Sequence, residues 1–184
     1  MYMSSLESGL GTDYGYFFSP GVPNSIYFLN YLDGAVQTFN YSDAGAAKSN
    51  NIAEAVYFAK RLNDKGTAGF CYDGMKEGAG SFRGIIWYPE GLLGEDCLVG
   101  MEKDKLFETT GVISTRNEWY DQNGISLLAK GGTSNVNHGH RDIGTFVIDC
   151  GGERFFSDLG ADSYNLEKYI GSDWYYRKRA EGHN

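Results

Sequence analysis

All three histidines of this 184-residue chain lie in two places, His138-Gly139-His140 and His183. In an extended segment, two residues separated by one project to the same side. A third histidine and a carboxylate would complete a tetrahedral ligand set that suits zinc. The obvious carboxylates are Asp142, two residues after His140, and Asp158 on a predicted return strand. The whole histidine content can therefore converge on one metal or catalytic site.

The ten residues 137–146 concentrate polar, titratable and small side chains between apolar runs. Such a density is costly for folding and is typical of functional segments. Histidine pairs of this spacing also occur as hydrogen-bonded surface or core residues on strands. From the residues alone, catalytic, metal-binding and structural interpretations stay open.

The composition excludes several classes of protein. The hydrophobic fraction is 41%, which is too high for a disordered chain, and no stretch of about 18 apolar residues predicts a membrane span. The net charge is −8 with a pI near 4.8, so we expect neither nucleic acid nor acidic lipid as a partner. An anionic ligand would need a local basic patch.

The two ends of the sequence predict a piece of a longer protein. The first residues have no cationic region followed by an apolar one, so we expect no secretory signal in this chain. The last residues, Ala180-Glu181-Gly182-His183-Asn184, stop without a turn or a tail. We expect a fragment.

Helical spacing dominates the first third of the chain. Apolar residues from Ile26 to Val36 predict a helix over about residues 24–33. Apolar residues from Ile52 to Leu62 form one stripe and predict a second helix. Residues 81–88 fit either a short helix or a strand.

Beyond about residue 104, short β-rich runs separated by turns predict an antiparallel meander. Two dipeptides, Asn123-Gly124 and Gly151-Gly152, predict two-residue hairpins because both tolerate the positive φ of primed turns. A regular hairpin at the second places Thr145 opposite Asp158. His140 then reaches that aspartate only if the chain bends, and Gly144 permits the bend.

Helices come first and the sheet second, without βαβ alternation, which predicts an α+β fold. We expect an N-terminal helical segment followed by an antiparallel β-sandwich. The corresponding divisions are a helical segment over 1–66, a connector over 67–103 and a β-sandwich segment over 104–184.

The sequence resembles the heparinase II/III-like polysaccharide lyases over residues 138–149, 152–164 and 175–184. The likeness is strongest over about residues 111–184 and weaker over residues 9–32 and around residues 39–43. Members of that family join an α/α-toroid to a multi-sheet antiparallel β-sandwich and act on uronic-acid-containing glycans. The resemblance implies that this chain spans the end of the toroid and the start of the sandwich.

Carried over by position, the resemblance implies that His140, Asp158 and His183 bind Zn²⁺ and that His138 faces the substrate. β-Elimination requires the enzyme to neutralise a uronate carboxylate, accept the C5 proton and protonate the departing C4 oxygen. The family zinc is structural, so we assign it no proton transfer. Substrate binding is assigned to Asn137, Arg141, Arg177 and Arg179.

The family's acid/base tyrosine lies in an aromatic-glycine segment of the toroid that residues 13–23 resemble. Members commonly place a tyrosine just after the Pro-Gly of this segment, whereas this chain has Val22. Tyr16 and Tyr27 are the candidate substitutes. A family histidine or asparagine upstream of this segment has no counterpart here, so the chain alone would carry half a site.

We therefore predict a polysaccharide lyase that cleaves an acidic glycan by β-elimination and is exported to a bacterial periplasm or cell surface, a location that follows from the family alone. One alternative is a non-catalytic, zinc-stabilised β-sandwich that binds glycan or a partner. Another is a hydrolase whose histidines and carboxylates activate water. The oligomeric state stays open.

Overall fold

The computed structural model describes residues 2–46, 53–68, 82–88, 91, 101–119, 121–172 and 175–184. The chain divides into two compact units. The first comprises Met1–Asn30 and Ser49–Met101, and the second comprises Tyr31–Lys48 and Glu102–Asn184. Helices and one antiparallel sheet make this an α+β fold, as the sequence predicts. The predicted domain boundaries stay a prediction.

Helices form the regular structure of the first unit. They are α1 (Tyr2–Leu10), α2 (Ser25–Leu32, whose last two residues belong to the second unit), α3 (Ala53–Leu62) and α4 (Phe82–Ile86), with a 3₁₀ turn at Tyr16–Phe18. The predicted helices at 24–33 and 52–62 are confirmed, although residue 52 itself lies outside the described residues. The ambiguous run after residue 81 is a helix.

The core of the first unit forms around Phe17, which is fully buried. Its ring packs edge-on against Tyr57 at 5.9 Å between centroids and lies near Phe58 at 5.1 Å. The guanidinium of Arg61 covers Phe17 at 4.5 Å and pairs with Asp13. The apolar stripe of α3 therefore meets an aromatic cluster rather than an aliphatic one.

The second unit contains a five-stranded antiparallel meander in the order β1 to β5, as predicted. The strands are β1 (Asp104–Phe107), β2 (Val112–Arg116), β3 (Ser126–Lys130), β4 (Phe146–Cys150) and β5 (Glu153–Phe156). A short helix α5 (Glu167–Gly171) and two 3₁₀ turns, Tyr176–Lys178 and Ala180–Gly182, follow the sheet. None of the helices in the described ranges is long and apolar enough to span a membrane.

The two predicted hairpin turns have different outcomes. Gly151 and Gly152 have φ of 59° and 86° and join β4 to β5, which confirms the prediction. The two-residue hairpin predicted at Asn123-Gly124 is wrong, because β2 ends at Arg116 and β3 begins at Ser126. The side chain of Asn117 accepts the N–H of Ile125 at 2.7 Å and closes a longer loop instead.

One face of the sheet is covered and partly polar. Val112, Leu128 and Val147 are buried on this face together with Ser126 and Asp149. The opposite face leaves apolar side chains exposed, among them Leu106, Ile113 and Phe156. The described strands form a single sheet, so the sandwich stays a prediction.

Residues 33–43, which we call the strap, lie over the covered face. Asp149 accepts the backbone N–H of Val36 at 2.9 Å. Arg154 donates to Asp149 at 2.6 Å and to the carbonyl of Thr38 at 2.9 Å. Strand side chains thus satisfy several backbone groups of the strap, and others bond within the strap or to residues beside it, as Gly34 does to Gln37.

Candidate active site

A cavity of about 410 Å³ opens in the second unit where the strap, the loop after β3 and the segments after β5 meet. Its lining comprises Asp43 from the strap, residues 136–140, and Tyr164, Tyr169 and Lys178. Histidine, carboxylate, phenol and amine groups therefore surround one open space. These are the groups that move protons and bind anions.

The loop after β3 presents its histidines because its backbone turns sharply. Gly139 cannot be replaced easily, since an added Cβ would lie 2.5 Å from the carbonyl oxygen of Ser134. Gly144 has φ of 95° and donates its N–H to the carbonyl of Lys130 at 2.7 Å. This is the bend that the sequence requires for His140 to approach Asp158. His138 has φ of 60°, a conformation that histidine tolerates better than most residues.

His138 forms an open cluster with Asp43 and Tyr164. Its Nδ1 bonds to the carboxylate of Asp43 and lies 3.0 Å from the hydroxyl of Tyr164, which also donates to Asp43. The side chain of His138 is 57% exposed. With Nδ1 bonded to a carboxylate, Nε2 is the nitrogen available to a substrate.

The same contacts change two pKa values in opposite directions. The hydrogen bond to Asp43 raises the pKa of Tyr164 to about 12, so the phenol keeps its proton. Burial alone would raise the pKa of Asp43, but hydrogen bonds from Tyr164 and His138 hold it below its ordinary value. Asp43 is therefore an ionised acceptor between two proton-carrying groups.

His140 and His183 form a second, buried cluster with Asp158. The two imidazole rings lie 5.4 Å apart between centroids, and His183 Nδ1 lies 2.6 Å from Asp158 Oδ2. Tyr169 contacts His140 Nε2 at 3.3 Å. Burial and the neighbouring His183 lower the pKa of His140, which favours the neutral imidazole.

Asp158 is held by several donors. Thr145 Oγ1 donates to it at 2.6 Å and the N–H of Gly160 at 2.7 Å. Burial would raise the pKa of Asp158, but the hydrogen bonds from His183 and Thr145 hold it below its ordinary value. Asn184 bonds to both the N–H and the carbonyl of Phe146, which fixes the backbone beside His183.

The buried cluster fits zinc in residue type and in unpaired atoms. His140 Nδ1 and His183 Nε2 are buried without a hydrogen-bond partner. Neutral imidazole nitrogens and a carboxylate are common zinc ligands. In the described part of the chain, however, no three or more His, Cys, Asp or Glu side chains are grouped as a metal site. Zinc binding by His140, Asp158 and His183 stays a prediction.

The residues assigned to substrate binding lie in different surroundings. Asn137 lines the cavity. Arg177 donates to the carbonyls of Leu159 and Ala161, and Arg179 lies 3.7 Å from Glu181. The lining contains neither these two arginines nor Arg141, whose N–H donates to the carbonyl of Lys178. Their assignment stays a prediction.

Two tyrosines predicted as acid/base substitutes belong to the first unit. Tyr16 lies in the 3₁₀ turn and is exposed, and Tyr27 lies in α2 and is half-buried. Their catalytic assignment stays a prediction.

Four polar residues of the cavity were assigned no role from the sequence: Asp43, Tyr164, Tyr169 and Lys178. Tyr164 ends one of the segments on which the family resemblance rests, and this is the one signal that could have singled it out. Lys178 places its amine 5.1 Å from the ring centre of Tyr169. Asp43 is 95 residues from His138 in the sequence, so no local pattern joins them.

Solved structures similar to this chain include heparan sulfate lyases and heparinase III. A heparinase III gene product matches with a TM-score of 0.68 and 17% identity, over 100% of this chain and 26% of its own. The chain shares the fold of heparinase III. A mutant heparan sulfate lyase from Pedobacter heparinus matches with a TM-score of 0.66 and 18% identity, over 96% of this chain and 25% of its own.

A further heparinase III structure matches with a TM-score of 0.58 and 16% identity, over 89% of this chain and 25% of its own. The chain thus spans about a quarter of the length of these structures. No protein-family model and no curated protein matches it. The resemblance noted in the sequence is confirmed at the level of the fold.

Proposed function

We propose that this chain is part of a polysaccharide lyase that cleaves an acidic, uronic-acid-containing glycan by β-elimination. The observation that carries the proposal is the cavity in which His138, Tyr164 and Lys178 face one space. The fold shared with heparan sulfate lyases supports it. The proposed location, a bacterial periplasm or cell surface, rests on the family resemblance alone.

The groups of the cavity suit the three tasks of the reaction. Lys178 neutralises the uronate carboxylate and so acidifies the proton at C5. His138 accepts that proton at Nε2, and the electron pair forms the C4–C5 double bond. Tyr164 gives its proton to the C4 oxygen as the C4–O bond breaks.

The contact between His138 and Tyr164 allows the site to be reset. After elimination, the imidazole carries one extra proton and the phenol lacks one. The two groups lie 3.0 Å apart and share Asp43, so a proton can return from His138 to Tyr164. That transfer takes the Nδ1 proton, so exchange with solvent must then remove the proton on Nε2 and return one to Nδ1. The cycle takes up no net proton, and the ionised Asp43 stabilises the transient imidazolium.

We propose in addition that His140, Asp158 and His183 hold zinc as a structural ion. His140 Nδ1 and His183 Nε2 are the available nitrogens, and Asp158 would supply the carboxylate once it gives up its contact with His183 Nδ1. When bound, the ion would link the loop after β3 to the last residues of the chain. His138 lies two residues before His140, so this link would help to keep the base in place.

The test is the ultraviolet absorbance of the 4,5-unsaturated uronate, which elimination produces and hydrolysis does not. The protein carrying this chain should release that product from heparan sulfate or another acidic glycan. The matched variant His138→Asn tolerates the same positive φ and lacks the base. We expect its rate to fall by about 10²- to 10⁴-fold.

Other results would select the alternatives. New reducing ends without ultraviolet absorbance would favour the hydrolase. Binding to an acidic glycan with no product would favour the non-catalytic β-sandwich. An unsaturated product formed equally fast by His138→Asn would exclude His138 as the base.

A further inference from the structure

Asp142 belongs to the loop after β3 but does not line the cavity. Its side chain is completely buried. One carboxylate oxygen pairs with the amine of Lys130, and the other accepts both the N–H of Ser42 at 2.7 Å and its hydroxyl at 2.8 Å. Every contact of this carboxylate is thus made inside the protein.

Ser42 has a backbone conformation that serine rarely adopts. Its φ is 56°, in the left-handed region, and the residue is buried. Such a conformation persists only where the surroundings impose it. Two bonds from Ser42 to Asp142 hold the residue in this conformation.

The turn at Ser42 determines where the next residue points. Asp43 follows directly, and its carboxylate meets His138 Nδ1 and the hydroxyl of Tyr164. Asp142 itself belongs to the loop that carries His138 and is anchored to β3 through Lys130. The buried carboxylate of Asp142 therefore links the strap to the loop after β3, one residue before Asp43, which lines the cavity.

We propose that Asp142 is a positioning residue, which holds the left-handed turn at Ser42 and thereby keeps the carboxylate of Asp43 on Nδ1 of His138. This inference deepens the proposed function, because His138 is the base there. Its direct consequence is a fixed tautomer: the proton of neutral His138 stays on Nδ1, and Nε2 stays free.

The experiment is long-range ¹H–¹⁵N correlation spectroscopy of the imidazole rings at about pH 8, above the ordinary histidine pKa of about 6.5. The chain has three histidines, and the His138→Asn spectrum identifies the signal of His138. Wild type should show His138 protonated at Nδ1. Asp43→Ala, which removes the acceptor, should move it towards the Nε2-protonated form that free imidazole side chains prefer.

Two double variants separate positioning from packing. Asp142→Leu with Lys130→Met removes the acceptor for Ser42 without leaving a buried charge unpaired, and should shift His138 as Asp43→Ala does. Asp142→Asn with Lys130→Met restores an oxygen acceptor and should return the wild-type tautomer. As a matched control, Asp149→Asn alters the anchor at Val36 and should leave the tautomer unchanged.

An unchanged His138 tautomer in a folded Asp142→Leu, Lys130→Met variant would overturn the proposal. If that variant does not fold, a measurement on the wild-type chain tests the proposal instead. A scalar coupling across the hydrogen bond from Ser42 to the Asp142 carboxylate must then accompany the Nδ1-protonated tautomer, and absence of either overturns the proposal. None of these readouts needs a glycan, so a protein that shows them but yields no unsaturated product refutes the proposed function alone.

Discussion

Asp149 and Asp43 both lie in the second unit, and each carboxylate bonds to a basic side chain, but one is buried and the other is partly exposed. Asp149 is fully buried, and its oxygens accept from Arg154 and from the N–H of Val36. Asp43 is partly exposed, and its partners His138 and Tyr164 both open onto the cavity. The oxygens of Asp149 are occupied by a guanidinium and by backbone N–H groups. Asp43 is instead bonded to an imidazole and a phenol, which can take part in proton transfer.

A carboxylate paired with a basic side chain can therefore serve either structure or chemistry, depending on its partner. Arg154 stays charged at any pH that a protein tolerates, so its pair with Asp149 can only hold the strap. An imidazole can both donate and accept a proton, so the pair of His138 with Asp43 can take part in a reaction. The strap connects the two, because Asp149 anchors it at Val36 and Asp43 lies near its end.

The largest expected effect of this difference is on stability. Asp149→Ala leaves Arg154 without its carboxylate and should lower the free energy of unfolding by about 3–5 kcal/mol. His138→Asn removes an exposed side chain and should change it by no more than about 0.5 kcal/mol. Denaturant unfolding of both variants measures the contrast, and equal losses would mean that the exposed cluster is structural as well.

The His183–Asp158 pair shares features with both the buried Asp149 pair and the exposed Asp43 pair. Metal removal should show whether it is a structural pair or part of a metal site. It is buried like Asp149 but leaves His183 Nε2 without a partner. If zinc binds there, a chelator should lower the melting temperature. The loss is about 2.7 kcal/mol when free zinc had been 100 times its Kd.

His140→Ala is the control for that experiment, since it should abolish the sensitivity to the chelator. Elemental analysis should find about one zinc per wild-type chain and none in the variant. Melting that is unaffected by chelation in wild type would place His183–Asp158 with the structural pairs and would leave the zinc proposal without support.

Local patterns predicted the fold well where a local cause determines it. The apolar stripe of α3 and the Gly151-Gly152 turn act over a few residues, and both were predictable. Asn123-Gly124 misled because the side chain of Asn117, outside the dipeptide, closes the loop. The competing hydrogen bond replaced the tight turn.

The candidate site was predictable only in part. The sequence singled out His138 because a neighbouring histidine and a family resemblance mark it. Asp43 and Tyr164 are 95 and 26 residues away from it, and only the folded strap and the segment after β5 bring them together. The direction of a basic side chain is equally a tertiary property, which is why Lys178 lines the cavity and the arginines on either side of it do not.

The smallest expected effect is the pH dependence of the stability that Asp149 contributes. Burial would raise the pKa of Asp149, but hydrogen bonds from Arg154 and from Val36 hold it below the ordinary value of 3.8. A carboxyl whose pKa is lowered by folding stabilises the protein above the unfolded-state pKa, and this contribution is lost as the pH falls through the folded-state pKa. The stability difference between wild type and Asp149→Asn should therefore be constant near neutral pH and shrink below the ordinary carboxyl pKa. Urea unfolding of both proteins across that range measures it. A difference that stays constant in acid would mean that Asp149 acts through its shape and hydrogen bonds, and that its charge contributes nothing to holding the strap.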